Sequence, residues 1–434
     1  MNKFELLDNV IKNSESKLNQ MLDRRSGNDF MSTDKGYGNK ATLYFLDNLD
    51  AMLHLLETGS EGKIDLIYID PPFNTSSSYK KKLRLKSGAR SLDILNDAYS
   101  DNWKGLKEYL EMMTIRLMLI HRLLSDKGSL YLHVDYRTSH YFRLILDHIF
   151  GENRFLNEVI WSYKSGGTGR RSFSRKHDNI LVYTKTDKYI FNPQKEKSYN
   201  RGLAPYRFKN VEEFKDDVGW HTLVNLKDVW SIDMVGRTSG ERVGYETQKP
   251  VSLLRRIIQT SSDDGSIVAD FFLGSGTSAQ AALELGREFI GSDSSPISYV
   301  TVNKRLRLKD VKLYIGFKGN QVIPGTFKYK AEKKDNVGIL YIEGYLPSKD
   351  EISNRKVEIN QVHQLLEEDP MVFLDYIGII GVNKGRILLN EFYSPDIPSA
   401  IVIPEGYGQV ILQVVDVFGS IQEIAIGGDN IEQD

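Results

Sequence analysis

Two short segments of this 434-residue chain combine residue types suited to chemistry, and each closes an apolar run. Asp70-Pro71-Pro72-Phe73 follows Ile64-Asp65-Leu66-Ile67-Tyr68-Ile69, and Asp270-Phe271-Phe272-Leu273-Gly274-Ser275-Gly276-Thr277 follows Val268-Ala269. A carboxylate beside a carbonyl can accept both N–H bonds of a planar amine, with Asp70 offering the first group and Pro71 the second. Such an amine has its lone pair delocalised into its ring and is a poor nucleophile. Acceptors that orient its nitrogen, favour rehybridisation and offset developing positive charge would activate it. Phe73 can stack on the ring, and Pro71 and Pro72 stiffen the loop at little entropic cost. In the second segment Gly274 and Gly276 permit a tight turn where a side chain would block a ligand. Thr277 is placed to cap the next helix, whose amides favour a carboxylate or hydroxyl nearby. Asp293 closes Phe289-Ile290-Gly291-Ser292, 23 residues after Asp270, where a carboxylate can take both hydroxyls of a ribose. The loop lacks the Gly-x-Gly-x-x-Gly dinucleotide pattern, which argues against a nicotinamide dehydrogenase.

The elements that must hold these loops are read from periodicity. Runs 43–46, 64–69, 129–134, 266–270 and 288–292 read as strands, several of them buried and parallel, and 49–57, 104–125, 138–149, 251–261, 277–285 and 296–305 as helices. Pro250 is suitably placed to open the helix at Val251. In open α/β sheets ligands bind off the carboxyl ends of strands, so both loops can share one edge of one sheet. Runs 158–163 and 179–184 flank the loop Lys164–Lys176 as a hairpin would. Residues 76–96, rich in Ser, Lys and Arg with little periodicity, read as a mobile lid. The expected organisation is an N-terminal helix and irregular arm over 1–40, a catalytic domain over 41–185 and 245–310, an insertion over 186–244, and a small strand-rich domain over 330–434.

Composition bounds the function. The chain has no cysteine, which excludes disulfides, thiolate zinc sites and iron–sulfur clusters, and its eight histidines show no metal-ligand spacing. No signal peptide or membrane-length apolar run is present in the sequence, so a cytoplasmic protein without a metal or a membrane partner is expected. The net charge of −1 conceals a division: residues 331–434 hold 7 Lys and Arg against 18 Asp and Glu, and the rest carries the compensating positive excess. That excess suits a phosphate-backbone partner, whereas the acidic end reads as a solvated accessory domain. Within 160–210, 12 Lys and Arg stand against 3 Asp and Glu, interleaved with Trp161, Tyr163, Phe173, Tyr183, Tyr189 and Phe191. Lys164, Arg170, Arg171, Arg175 and Lys176 are the candidate DNA contacts, on a loop whose glycines allow it to order on a groove.

Asp270-Phe271-Phe272-Leu273-Gly274-Ser275-Gly276-Thr277 resembles the S-adenosylmethionine motif of β-group DNA amino-methyltransferases, including modification subunits of restriction–modification systems. Asp70-Pro71-Pro72-Phe73 resembles their target loop, and it precedes the cofactor loop in the β-group order. Gly151–Trp161 and Phe173–Tyr183 are similar to the same family, so the resemblance spans about 43–308. It implies a Rossmann-like S-adenosylmethionine-dependent methyltransferase sheet with an inserted target-recognition region. It also implies that Asp270, Phe271, Gly274 and Gly276 line the methionine end of the cofactor, that Thr247 and Lys249 hold its carboxylate, and that Asp47 lies near its adenine. Asp at the first target-loop position is typical of adenine N6 enzymes, and Ser of cytosine N4 enzymes. The implied reaction is site-specific methylation of the N6 amine of an adenine flipped out of double-stranded DNA, in a homodimer. Two alternatives stand beside it: a cytosine N4 methyltransferase on the same scaffold, and a modification-specificity subunit acting mainly with a separate restriction nuclease.

Overall fold

The computed structural model describes residues 2–23, 31–32, 40–73, 78–100, 103, 105–164, 171–245, 247–306, 311–315, 325–334, 337–354, 357–383, 386–393, 397–403, 409–418, 420–426 and 432–433. Its centre is a mixed sheet of ten strands ordered Met31–Ser32, Val311–Ile315, Ala41–Phe45, Glu288–Ser292, Ile267–Asp270, Ile64–Ile69, Leu124–Val134, His177–Thr184, Phe155–Ser162 and Val229–Ser231. From Val311–Ile315 to Leu124–Val134 every neighbouring pair is parallel, and the hairpin Phe155–Ser162 with His177–Thr184 runs antiparallel beside it. All six residues of Ile64–Ile69 are buried, which explains a mostly apolar run instead of an alternating one, with the carboxylate of Asp65 satisfied by the Ser125 hydroxyl at 2.8 Å.

Alternate side chains of that strand feed two cores. Ile67 and Ile69 pack with helices Lys3–Asp23, Asn48–Glu57, Leu106–Leu123 and Ser139–Phe150. Leu66 and Tyr68 pack on the opposite face with helices Val251–Ser261, Thr277–Glu284 and Pro296–Leu306. Strands Ile64–Ile69 and Ile267–Asp270 lie side by side with Leu66 opposite Val268 and Ile67 opposite Ala269. The chain leaves the first toward Leu124–Val134 and the second toward Glu288–Ser292, on opposite sides. The strand order therefore reverses between them, where open α/β sheets place their ligand crevice.

Three expectations change. Within the segment 76–96 the described residues, from Ser78, belong to an antiparallel hairpin, Ser78–Ser87 with Arg90–Ser100, turned by the pair Gly88-Ala89 with Gly88 at φ +55°. Its apolar alternation, Leu85 against Leu92 and then Ile94, is masked in the sequence by intervening lysines and arginines. Residues 186–244 are not wholly irregular: Lys195–Tyr199, Trp220–Asn225 and Phe214–Lys215 form a small sheet, and Val229–Ser231 joins the main one. Strand Leu124–Val134 begins directly after helix Leu106–Leu123, earlier than the pattern suggests.

The C-terminal region holds two four-stranded sheets around a third core. Leu85, Leu92 and Ile94 of the hairpin belong to that core, and the Arg90 guanidinium donates to the Gln364 carbonyl at 3.1 Å and pairs with Glu368. Burying three such side chains contributes roughly 1.5–3 kcal/mol each. Among the described residues no helix is long and apolar enough to cross a membrane. Ile94→Asp would place an unpaired carboxylate in this core at a cost of several kcal/mol. The hairpin is expected to become sensitive to brief trypsin treatment while the central sheet stays resistant, as limited proteolysis with mass analysis of the fragments would read out.

Candidate active site

Asp70 leaves the carboxyl end of Ile64–Ile69 and is largely buried. Its Oδ2 accepts from the Lys249 ammonium, while Oδ1 is buried and has no hydrogen-bond partner among the described residues. His133 Nδ1 lies 3.8 Å from Oδ1. The loop itself is held from below: the Tyr109 hydroxyl, on helix Leu106–Leu123, donates to the Pro72 carbonyl at 2.7 Å. The Phe73 ring lies 5.7 Å from that of His133, and the Lys249 ammonium sits 5.5 Å above Phe73.

Behind Asp70 lies a polar network that sequence reading missed. His133 is fully buried, with Nδ1 at 2.9 Å from the Tyr68 hydroxyl and Nε2 at 3.3 Å from Asp178 Oδ2. Asp178 Oδ1 accepts from the Tyr163 hydroxyl at 3.3 Å. Burial pushes the Asp178 carboxyl up, but the hydrogen bond and charge of His133, with Lys249 beyond, outweigh it and hold the group below its usual range. Tyr68, buried and facing Asp70, Asp270 and Asp178, has its phenol raised well above the ordinary value.

On the second loop the acids are committed to the turn. Asp270 Oδ1 accepts from the Phe272 amide at 2.9 Å and Oδ2 from the Ser278 hydroxyl at 2.6 Å. Asp293 Oδ2 accepts from the Gly274 amide at 2.7 Å and Oδ1 from the Ser295 amide at 2.8 Å. Asp293 thus clamps the glycine loop to the next strand's end, and each carboxylate oxygen keeps a further lone pair for a ligand hydroxyl. Gly276, at φ +75°, is the residue that caps helix Thr277–Glu284, in place of Thr277. The Thr277 hydroxyl instead accepts from Arg305 Nη1 at 2.7 Å, and the same guanidinium reaches the Ser275 carbonyl at 2.9 Å. A Cβ at Gly276 would meet Val302 at 2.9 Å, so packing against helix Pro296–Leu306, beyond any ligand approach, demands glycine here. At Gly274, φ +51°, the nearest obstacle is the Tyr245 ring at 3.7 Å.

Several other expected residues have partners within the chain. The Phe271 ring is fully buried in the core, and its carbonyl accepts from Asn48 Nδ2 at 2.8 Å. Asp47, half exposed, caps helix Asn48–Glu57 and takes a 2.8 Å hydrogen bond from the buried Arg116, whose Nε also reaches Asn48. Lys249 is paired with Asp70, and Thr247 is half-buried two residues before it. Arg116, Asn48, Arg305 and His133 carry no motif signal, because each acquires its role from a partner far along the chain, and Asp178 lies in the family-like segment Phe173–Tyr183 without any sign there of its bond to His133.

Asp70, Lys249, Asp270, Asp293 and Asp47 gather along one sheet edge, and they fit a cofactor with an amino-acid end and a ribose. Lys249 and the amides opening helix Thr277–Glu284 suit its carboxylate, whereas Asp293 and Asp47 suit hydroxyl or amine donors. Of the basic loop, Lys164 pairs with Asp233 at 3.2 Å, Lys176 donates to the Lys164 carbonyl at 2.8 Å, and the Arg175 guanidinium stacks 4.5 Å from the Tyr136 ring. Arg171 is exposed, and Arg170 lies outside the described residues. Trp161 and Tyr183 are fully buried core rings, while Phe173 is 99% exposed.

A family profile described as DNA methylase matches residues 64–304, more than half of the chain. Over 322 residues the chain is 27% identical to the type II methyltransferase M.EcaI of Enterobacter cloacae, covering 60% of this chain and 68% of that protein. It is 28% identical over 249 residues to the DNA adenine methyltransferase YhdJ of Escherichia coli K12, covering 56% of this chain and 75% of YhdJ. The StyLTI Mod subunit, a type III restriction–modification protein of Salmonella typhimurium, is 26% identical over 324 residues, and the matched region spans 49% of that subunit. Among solved structures, the M1.HpyAVI–SAM complex aligns over 62% of this chain and 100% of its own, at 19% identity and a TM-score of 0.42.

Burial drives the Asp270 carboxyl up to about 7, with Asp70 and Asp293 adding to the rise against the bonds from Ser278 and Phe272. Burial likewise raises Asp293 to about 6, opposed by the amides of Ser295 and Gly274. The folded chain therefore keeps protons that the unfolded chain releases near pH 4. Their stabilising contribution is complete below about pH 4 and is lost as pH rises through 6 to 7. Asp270→Asn removes one of the two groups, so the variant's melting temperature should fall less steeply than the wild type's between pH 5.5 and 8, as read by circular dichroism.

Proposed function

Because the chain belongs to the DNA methylase family, we propose that it is an adenine N6 enzyme that methylates a flipped-out base in double-stranded DNA. S-adenosylmethionine is the methyl donor, and when bound it supplies an electrophilic methyl on a sulfonium. The observation that carries the reading is Asp70: one carboxylate oxygen is fixed by Lys249, and the other is buried without a partner at the carboxyl end of Ile64–Ile69. A buried acceptor without a donor is costly. An exocyclic amine brought to Oδ1 relieves that cost and has its nitrogen oriented, with the Pro71 carbonyl on the loop for its second N–H.

The other residues divide the work. Phe73 stacks on the base, and Tyr109 keeps the loop from yielding. Lys249 sits between the two halves of the site, close enough to Asp70 to hold it and carried by the Thr247–Pro250 segment next to the cofactor loop. Asp293 and Asp47 receive ribose and adenine donors of the cofactor. The acid at the first target-loop position and the adenine specificity in the name of YhdJ support adenine over cytosine. The similarity to a Mod subunit supports a place in a restriction–modification system, with a nuclease partner and a homodimer as parts of the same reading. Lys164, Arg171 and Arg175 are the described basic residues assigned to DNA phosphates, with Arg170 beside them.

Methyl transfer from tritiated cofactor to genomic DNA, followed by mass analysis of the nucleosides, tests the proposal. N6-methyladenine is expected, and N4-methylcytosine would overturn the assignment of the base. Asp70→Ala should abolish transfer, a loss of at least 10³-fold, while calorimetry finds cofactor affinity undiminished because Lys249 is released and not removed. Cofactor binding that collapses with this substitution would refute the division of roles.

A further inference from the structure

Methylation leaves the amine nitrogen with one proton too many. A proton released to Asp70 Oδ1 would leave a neutral carboxylic acid, and the site would stop being an acceptor until that proton moved on. Bulk water is poorly placed to take it, since Oδ1 is buried. The group behind Oδ1 is His133, fully buried, with Nδ1 3.8 Å away.

Resting on the functional reading above, we propose that His133, aligned by Asp178, is a positioning residue that keeps Asp70 ionised by drawing the released proton from Oδ1 to its own Nδ1. The geometry assigns each proton a place. Asp178 Oδ2 is the acceptor for Nε2–H, which leaves Nδ1 with its lone pair in the neutral ring. The Tyr68 hydroxyl at 2.9 Å donates to that lone pair and turns to accept once Nδ1 is protonated. As the N–C bond forms, the bond from the methyl carbon to the sulfonium sulfur breaks and its electron pair stays on sulfur; the proton leaves the amine nitrogen for Oδ1 and passes to Nδ1, so the positive charge ends as an imidazolium facing the Asp178 carboxylate.

Every element packed on His133 fits this assignment. Strand Ile64–Ile69 contributes Tyr68, and its following loop contributes Asp70 and Phe73. The hairpin strands contribute Asp178 and Trp161, whose indole stands edge-on at 5.4 Å, with Tyr163 completing Asp178's bonds. Lys249 approaches from the far side of Asp70 and opposes the imidazolium, and Asp270 acts on Tyr68 from the neighbouring strand. A purely structural histidine would need neither the second carboxylate nor a partnerless oxygen in front of it.

The test compares wild type with His133→Gln and Asp178→Asn in single-turnover methyl transfer across pH 5.5–9, with cofactor affinity measured by calorimetry on the same preparations. His133→Gln retains a donor for Asp178 but cannot take a proton. The expected result is a rate lowered on the order of 10²-fold, cofactor affinity within twofold of wild type, and loss of the acid limb of the pH–rate profile. Asp178→Asn, with nearly the same shape, should move that limb toward lower pH, because the carboxylate no longer favours the imidazolium. Should His133→Gln fail to fold, the Asp178→Asn profile decides alone. An active wild type whose profile both folded variants reproduce within twofold would overturn the inference and leave the functional reading standing. A wild type that transfers no methyl group to any DNA would overturn both.

Discussion

The site depends on one backbone register. Leu66 beside Val268 and Ile67 beside Ala269 fix two parallel strands from parts of the chain about two hundred residues apart. Because side chains alternate along a strand, a slip of one residue would turn Leu66 and Tyr68 from one core to the other. The two cores are both filled by large side chains, so that slip has nowhere to go. With the register set, the strands end at the same level, and Asp70 and Asp270 emerge side by side at the point where the strand order reverses. Proximity of the target loop and the glycine loop is thus a result of core packing, achieved before any ligand is considered.

Bringing those ends together concentrates acids where solvent is scarce. Asp70 and Asp293 lie close enough to Asp270 for their charges to add to its cost of burial. The chain answers in two ways. Asp70 pairs with Lys249, and Asp178 faces His133, which helps hold its carboxyl below the usual range. Asp270 and Asp293 face only hydroxyls and amides, and burial raises both carboxyls. One pair bonds to basic side chains, and the other pair shapes the turn. Carboxylates of like sequence context are separated into two chemistries by their neighbours alone.

The sequence carried the features that are local. Continuous apolar runs marked the buried strands, Pro250 marked a helix start, and the order of the two motifs marked the family. What it concealed depends on distant partners. His133 sits in Leu130–Val134 as one polar residue in an apolar strand, and only the antiparallel pairing that sets it against Ile180 brings Asp178 within reach. Gly276 is recognisable as a turn glycine, yet the atom that forbids a side chain there belongs to Val302, on a later helix. Thr277 has the composition of a cap and sits one residue too late, because the left-handed glycine before it already ends the turn. Phe271 and Phe272 are indistinguishable in the motif, but strand alternation and burial give the first to the core and leave the second partly exposed.

The same reasoning gives the acidic C-terminal region a mechanical connection to the target loop. Residues 74–77 separate Phe73 from the first hairpin residue, Ser78. Five peptide steps span at most about 17 Å, so the first residues of the hairpin stay near Phe73. The other end of the hairpin is anchored by Leu85, Leu92 and Ile94 in the third core and by Arg90 on helix Ile359–Glu368. A β-hairpin alone is marginally stable in water, so its order derives from that anchorage. The Asp70–Phe73 loop is therefore held at both ends, by Tyr109 on the central domain and by a hairpin whose footing lies in the C-terminal core. The acidic C-terminal region thus supplies the footing for a hairpin rich in lysine and arginine that follows the Asp70–Phe73 loop in the chain.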